Sequence, residues 1–210
     1  MHKRIIGILL AIFVVLPGVA AAQIELGIKG GVSFADLPKF AEEIESGGGT
    51  PDMRIGAAGG AHVLLTLGGV VGLQAEALYT QKGIKAEGPA GLDEAIELRV
   101  DYIDVPILLR IGVTGGRGLQ FLVGPSFNFN TSAKLDISGA FEAEEDIKDQ
   151  VEDFEFGMVV GVGYYARRLL LEARYQEGLT DIATFTDFLD DSITYKNRTF
   201  LFLIGVQVGG

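Results

Sequence analysis

Period-two alternation, sustained over unusually long stretches, is the feature that most narrows what this chain can fold into. From Gln23 to Phe34, one face carries Ile24, Leu26, Ile28, Gly30, Val32 and Phe34, and the other Gln23, Glu25, Gly27, Lys29, Gly31 and Ser33. Successive side chains of a strand point to opposite faces, whereas a helix returns to a face every 3.6 residues, so the pattern specifies a strand. The same reading applies to Met53–Leu67, Val71–Lys82, Ile96–Ile111, Leu119–Thr131, Phe154–Ala166, Leu169–Gln176 and Arg198–Val208, which makes eight strands. Several run to 11–15 residues. Globular strands average about 5–6 residues, and a tilted strand crossing a bilayer needs about 9–11.

The connections alternate in length. Gly68-Gly69, Thr114–Gly118 and Ala166–Arg168 are short, the first two glycine-rich as tight hairpins require. Ala35–Asp52, Ala86–Ala95, Leu135–Asp153 and Ile182–Thr194 are long. An even strand count with short turns at one end describes an antiparallel up-and-down sheet. In lipid the only sheet that satisfies all its backbone groups is a closed one. The expected fold is therefore all-β, an eight-stranded antiparallel up-and-down transmembrane β-barrel, its apolar face toward lipid. Phe34, Tyr79, Tyr102, Phe127, Phe129, Phe154, Tyr164, Tyr175 and Phe200 are expected at the two bilayer interfaces. One strand breaks phase: Glu97, Arg99 and Asp101 are offset from Asp104, Pro106 and Arg110. That offset predicts a β-bulge within Asp101–Asp104.

The N-terminus reads as an address. Lys3 and Arg4 precede an apolar run, Ile5–Leu16, broken by Pro17-Gly18 and followed by Ala20-Ala21-Ala22. These are the three regions of a secretory signal, which places cleavage before Gln23 and the barrel domain over residues 23–210. The run is too short for a bilayer-spanning helix. With no cysteine, the chain has no disulfide scaffold, no thiolate metal site and no cysteine nucleophile. The excess of 28 acidic over 17 basic residues argues against nucleic acid as a partner.

These segments carry a family resemblance. The opening "QIELGIKGGVSFADL" resembles the first strand of the PorT-like outer-membrane β-barrels, a family of small porin-like proteins. Later strands of that family are similar to "LQAEALYTQKGIK", "VDYIDVPILLRIG", "FLVGPSFNFN", "FGMVVGVGYYARRLLLEARYQEGLTDI" and "NRTFLFLIGVQV", in that order. The resemblance spans the mature chain, contains no catalytic motif, and implies a barrel in the outer membrane of a Gram-negative bacterium. The chain departs from the usual pattern in ending Val208-Gly209-Gly210 rather than on an aromatic residue.

With the apolar face outward, the interior inherits Glu25, Lys29, Arg54, His62, Glu76, Lys82, Arg99, Asp101, Asp104, Arg110, Glu155, Glu172 and Arg174. Acids and bases nearly balance there, so the expected arrangement is a paired network that plugs the barrel. The rest of that face is read as glycine, alanine, serine and asparagine. His62 is the only histidine after the signal and falls mid-strand. No G-x-S-x-G, H-E-x-x-H, P-loop or dinucleotide motif accompanies it, so the expectation is no enzyme and no cofactor. The long loops hold the acidic excess, above all Glu142, Glu144, Glu145, Asp146 and Asp149. They are expected to be a solvated surface, with weak divalent-cation contact as the functional alternative and no EF-hand spacing to support it. The expected partners are outer-membrane lipid, lipopolysaccharide and the barrel-assembly machinery. The expected role is structural, adhesive or in envelope interaction. The alternatives are a narrow or gated pore and a periplasmic lipocalin-like ligand-binding barrel.

Overall fold

The computed structural model describes residues 23–67, 69–87, 95–113, 117–138, 143–186 and 192–208. The signal segment 1–22 lies outside the described residues. In chain order the elements are β1 (Gln23–Asp36), α1 (Pro38–Ser46), β2 (Thr50–Leu67), β3 (Val71–Glu87), β4 (Ala95–Gly112) and β5 (Gly118–Ser138). They continue with β6 (Ala143–Asp146), β7 (Phe154–Ala166), β8 (Leu169–Gly178), β9 (Ala183–Thr186), β10 (Ser192–Tyr195) and β11 (Arg198–Gln207). No helix among the described residues is long and apolar enough to cross a membrane.

Eight of the strands close a ring in the order β4-β3-β2-β1-β11-β8-β7-β5, with β5 pairing back onto β4, every pair antiparallel. Following paired residues around that ring gives its geometry. From Tyr165 the path runs through Leu170, Gly205, Lys29, Gly60, Leu78, Asp104 and Asn128. It returns to β7 at Glu155, ten residues from where it began. A stagger of ten over eight strands sets a strand tilt of about 40° and a backbone radius of roughly 8 Å. Such an interior is just wide enough to be filled by side chains.

Burial alternates along every strand, and the apolar set points out. Ile28, Val63, Leu73, Leu109, Phe121, Val162, Leu171, Phe202 and Ile204 are all exposed on the outer wall. Toward the end that carries the long connections, aromatic pairs bridge neighbouring strands. Phe34 meets Phe202, Phe129 meets Phe154, and Tyr175 meets Phe200, with ring centroids 5.1–5.8 Å apart. Tyr102 does not join them; it is fully buried inside the barrel.

Two expectations about the wall need correction. First, β4 carries no bulge: Val100, Tyr102, Asp104, Leu108 and Arg110 all point inward in one unbroken phase. The register does shift between Asp101 and Tyr102, but the extra residue is Thr131 of β5. Its Oγ1 donates to the Asp101 carbonyl at 3.0 Å. Glu97, Arg99 and Asp101 break the polar pattern because the strand has risen past the aromatic belt, where the outer wall faces water and the inner wall turns apolar. Second, the inward face is not merely small and polar. Leu64, Leu78, Leu108, Leu122, Leu170, Leu201 and Leu203 are buried there. In runs such as Leu201-Phe202-Leu203-Ile204 both faces are apolar, so alternation of type disappears even though alternation of direction persists.

Candidate functional site

The barrel interior is organised in layers. At its middle lies a quartet of opposite charges from three strands. Lys29 Nζ of β1 donates to Glu76 Oε1 of β3 at 3.1 Å and to Glu172 Oε2 of β8 at 2.9 Å. The Arg174 guanidinium bonds both oxygens of Glu76, at 2.8 and 2.5 Å, and Glu172 Oε2 at 2.5 Å. All four side chains are essentially without solvent contact. Two cations and two carboxylates cancel, and charge-assisted bonds use most of the donors and acceptors, the condition under which buried ions are tolerated. Gln74 Nε2 adds a bond to Glu76 at 2.5 Å, and the Tyr165 hydroxyl donates to Glu172 Oε1.

His62 stands beside the quartet in the cross-strand row Gly27–His62–Glu76. It is buried, and neither ring nitrogen has a protein partner. The ring occupies the space a side chain at residue 27 would need, since a Cβ built on Gly27 would fall 2.3 Å from His62 Cε1. Toward the short turns, Arg110 Nε donates to Gln120 Oε1 at 2.8 Å, and its guanidinium lies 3.4 Å from the Tyr165 ring centroid. Glu25, half-buried near the start of β1, is close enough to act electrostatically on Arg110.

Toward the long connections lies a second polar layer. Lys82 Nζ donates to Asp104 Oδ1 at 3.1 Å and sits 4.6 Å from the Tyr102 ring centroid. Asn197 Nδ2 donates to Glu155 Oε2 at 2.6 Å and to the Tyr102 hydroxyl at 3.2 Å. Asn128 Oδ1 accepts from Ser126 at 2.5 Å and from Gln176 at 3.1 Å.

Arg54 and Arg99 belong elsewhere. Arg54 lies at a register shift in β2. Its Nη1 donates to the Lys82 carbonyl at 2.7 Å and its Nε to Glu97 Oε1 at 2.9 Å. Arg99 also bonds Glu97 and approaches Asp136 at 2.9 Å. Its side chain is 45% exposed on the outer wall, so it takes no part in the lumen. This chain of alternating charges lies beyond the aromatic belt. The hydrogen bond from Arg99, ahead of that from Arg54, holds the Glu97 carboxyl below its ordinary range despite partial burial.

The long connections close the top. Leu37, Ile84, Ile182 and Tyr195 form one buried cluster, joined by Phe40 and Ala41 of α1 and by Leu98. Val100, Tyr102, Ala133 and Val151 form a second, joined by Ile147. Backbone bonds fasten these segments together: Glu152 N to the Ile182 carbonyl and Ile182 N to the Tyr195 carbonyl, each 2.8 Å. The Tyr195 hydroxyl donates to Glu43 Oε2 at 2.7 Å, which ties β10 to α1. Burial and that bond push the Tyr195 phenol well above its usual range. Sequence reasoning treated these segments as polar loops. The signal was present in the helical spacings Phe40/Ile44 and Ile147/Val151, but acidic neighbours outnumber those residues.

In the acidic connection, Glu145, Asp146 and Asp149 are exposed, and Asp146 Oδ1 accepts from the Lys148 backbone at 3.0 Å. Lys148 Nζ is paired with Asp153. Glu142 and the side chain of Glu144 lie outside the described residues, as do Asp187, Asp190 and Asp191. Among the described residues no three histidine or carboxylate side chains converge where a metal could sit.

A family model for the outer membrane protein beta-barrel domain matches residues 20–184, most of the chain. No curated protein matches significantly. Among solved structures, the chain is similar to Neisserial surface protein A at 10% identity and TM-score 0.47, over 89% of this chain and 98% of that one. It is similar to OprG from Pseudomonas aeruginosa at 12% and 0.42, over 89% and 96%. Ail of Yersinia pestis, solved in complex with the heparin analogue sucrose octasulfate, stands at 10% and 0.42, over 89% and 98%. A closed eight-stranded ring, an apolar outer wall and a family match across most of the chain converge: this protein belongs to the outer-membrane β-barrel domain family and resides in the outer membrane.

Proposed function

We propose that the protein is an integral outer-membrane barrel without a standing pore and without catalysis, serving a structural, adhesive or envelope-interaction role through its outer surface. The observation that carries this reading is the Lys29–Glu76–Arg174–Glu172 quartet, which links β1, β3 and β8 through the middle of a lumen only one side-chain layer wide. The packed clusters above it support the same reading. The burial of His62 beneath those layers supports a non-enzymatic role, because acid–base chemistry at that ring would need substrate to reach it. Within the family we place the chain with the PorT-like barrels, on the strand sequences quoted above. Its partners in this reading are lipid and lipopolysaccharide along the wall, and the barrel-assembly machinery during insertion.

Single-channel recording on refolded protein in planar bilayers tests the proposal. The expected result is a quiet baseline across both voltage polarities. Regular steps of nanosiemens size would overturn it and identify a pore.

A further inference from the structure

The charges inside this barrel do not cancel layer by layer: the buried cation Arg110 lies toward the short turns, on the far side of the quartet, with Gln120 and Tyr165. The quartet is neutral, and Arg54, Glu97, Arg99 and Asp136 form a balanced chain at the rim. Between them, Lys82 answers Asp104, and Glu155 is left as an odd carboxylate. Asp104 and Glu155 are each 1% exposed, and they flank Asn128 in one cross-strand row of inward-facing residues, Asp104–Asn128–Glu155. Asn128 Oδ1 is already taken by Ser126 and Gln176, so its amide can offer N–H but no charge. Several oxygens here have no protein hydrogen-bond partner: Asp104 Oδ2, Glu155 Oε1, Asn197 Oδ1 and, next inward along β11, Thr199 Oγ1. Glu155 is seated rather than swinging. Its Oε2 accepts from Asn197 at 2.6 Å, and its Oε1 lies where a side chain on Gly178 would place a Cβ, 2.4 Å away.

Water can satisfy orphaned oxygens, yet it leaves the negative charge of Glu155 in a buried, low-dielectric layer, where an uncompensated ion is expensive. We propose that this layer binds one exchangeable monovalent alkali cation, held by Glu155 and Asn197 with Asp104 completing the field. The donors are hard oxygens, which suit alkali and alkaline-earth ions rather than transition metals. The deficit is a single charge, so a divalent ion would reverse the imbalance instead of removing it. This inference concerns only the lumen and stands apart from the role assigned to the outer surface.

The test uses full-length protein refolded into uncharged phosphatidylcholine vesicles, unfolded in urea at fixed pH and ionic strength, with sodium exchanged for N-methylglucamine. A ligand that binds only the folded state raises the midpoint in a saturable way. The wild-type midpoint is expected to be higher in sodium. In Glu155→Gln it should be the same in both salts. Asn197→Ala keeps the charge and loses a donor, so it should need several-fold more sodium for half the effect. Glu97→Gln, at the rim, should retain the full sodium response. Equilibrium dialysis with radioactive sodium on the wild type should count one ion per chain, a readout that stands even if a variant fails to fold. A wild-type midpoint indifferent to sodium and a dialysis count of zero would overturn the proposal, leaving a proton on Glu155 to supply the charge.

Discussion

Gly27 and His62 show how a single atom can be the difference between a filled and an overfilled lumen. A methyl group at residue 27 would meet His62 Cε1 at 2.3 Å and the Val206 carbonyl at 2.8 Å. Gly27→Ala is therefore expected to destabilise the barrel by about 1–3 kcal/mol, as overpacking typically does. Combining it with His62→Ala should recover only part of the loss, because the clash with the Val206 backbone remains. Urea titrations of the two single variants and the double variant would show whether the recovery is partial. In the quartet, Glu76→Gln leaves Lys29 and Arg174 with one carboxylate between them, an imbalance expected to cost about 3–5 kcal/mol by the same measurement. Alternation alone is enough to set Lys29, Glu76, Glu172 and Arg174 on one face of their strands. Which of them meet depends on the ten-residue stagger of the ring, and no local pattern carries that.

At the scale of elements, the eight barrel strands were readable because each buries one face and shows the other to lipid, which writes a long period-two pattern. Their outer ends were not. Past the aromatic belt the outer wall becomes polar and the inner wall apolar, as in Glu97–Tyr102, so the code inverts without any break in the strand. The cap was missed for a related reason: Leu37, Ile147, Val151 and Ile182 are isolated apolar residues among charges, and their burial depends on partners from other connections. Ile182→Asp should detach this cap from the barrel beneath it. The expected outcome is new protease cleavage in the connections around α1 and β9–β10, while the heat-modifiable band of the intact barrel persists on gels. The rim pair makes a pH prediction. Glu97 has a lowered pKa in the folded state, so its contribution is present above the ordinary carboxylate range and is lost as pH falls through the depressed value. Hydrogen-exchange protection factors, which divide out the intrinsic slowing of amide exchange in acid, should fall at the outer ends of β3 and β4 between pH 7 and pH 3 in the wild type. Glu97→Gln should show much less of this change.

For the whole molecule, the long connections should face the cell exterior and the short turns the periplasm, as in bacterial outer-membrane barrels generally. The absence of cysteine makes this simple to test. A thiol introduced at Lys39, in α1, should react with an impermeant maleimide on intact cells, whereas one at Arg167, in the β7–β8 turn, should react only after the outer membrane is opened. The reverse pattern would invert the barrel in the membrane. The ring itself also dictates how this chain can be made. Its seam joins the first strand to the last, Gly27 against Gln207, so residues at opposite ends of the chain must meet before any edge is sealed. Until β11 is synthesised, β1 and β8 each carry an unsatisfied row of amides that lipid cannot accept. Insertion therefore has to wait for the completed polypeptide, the first moment at which every strand edge has a partner.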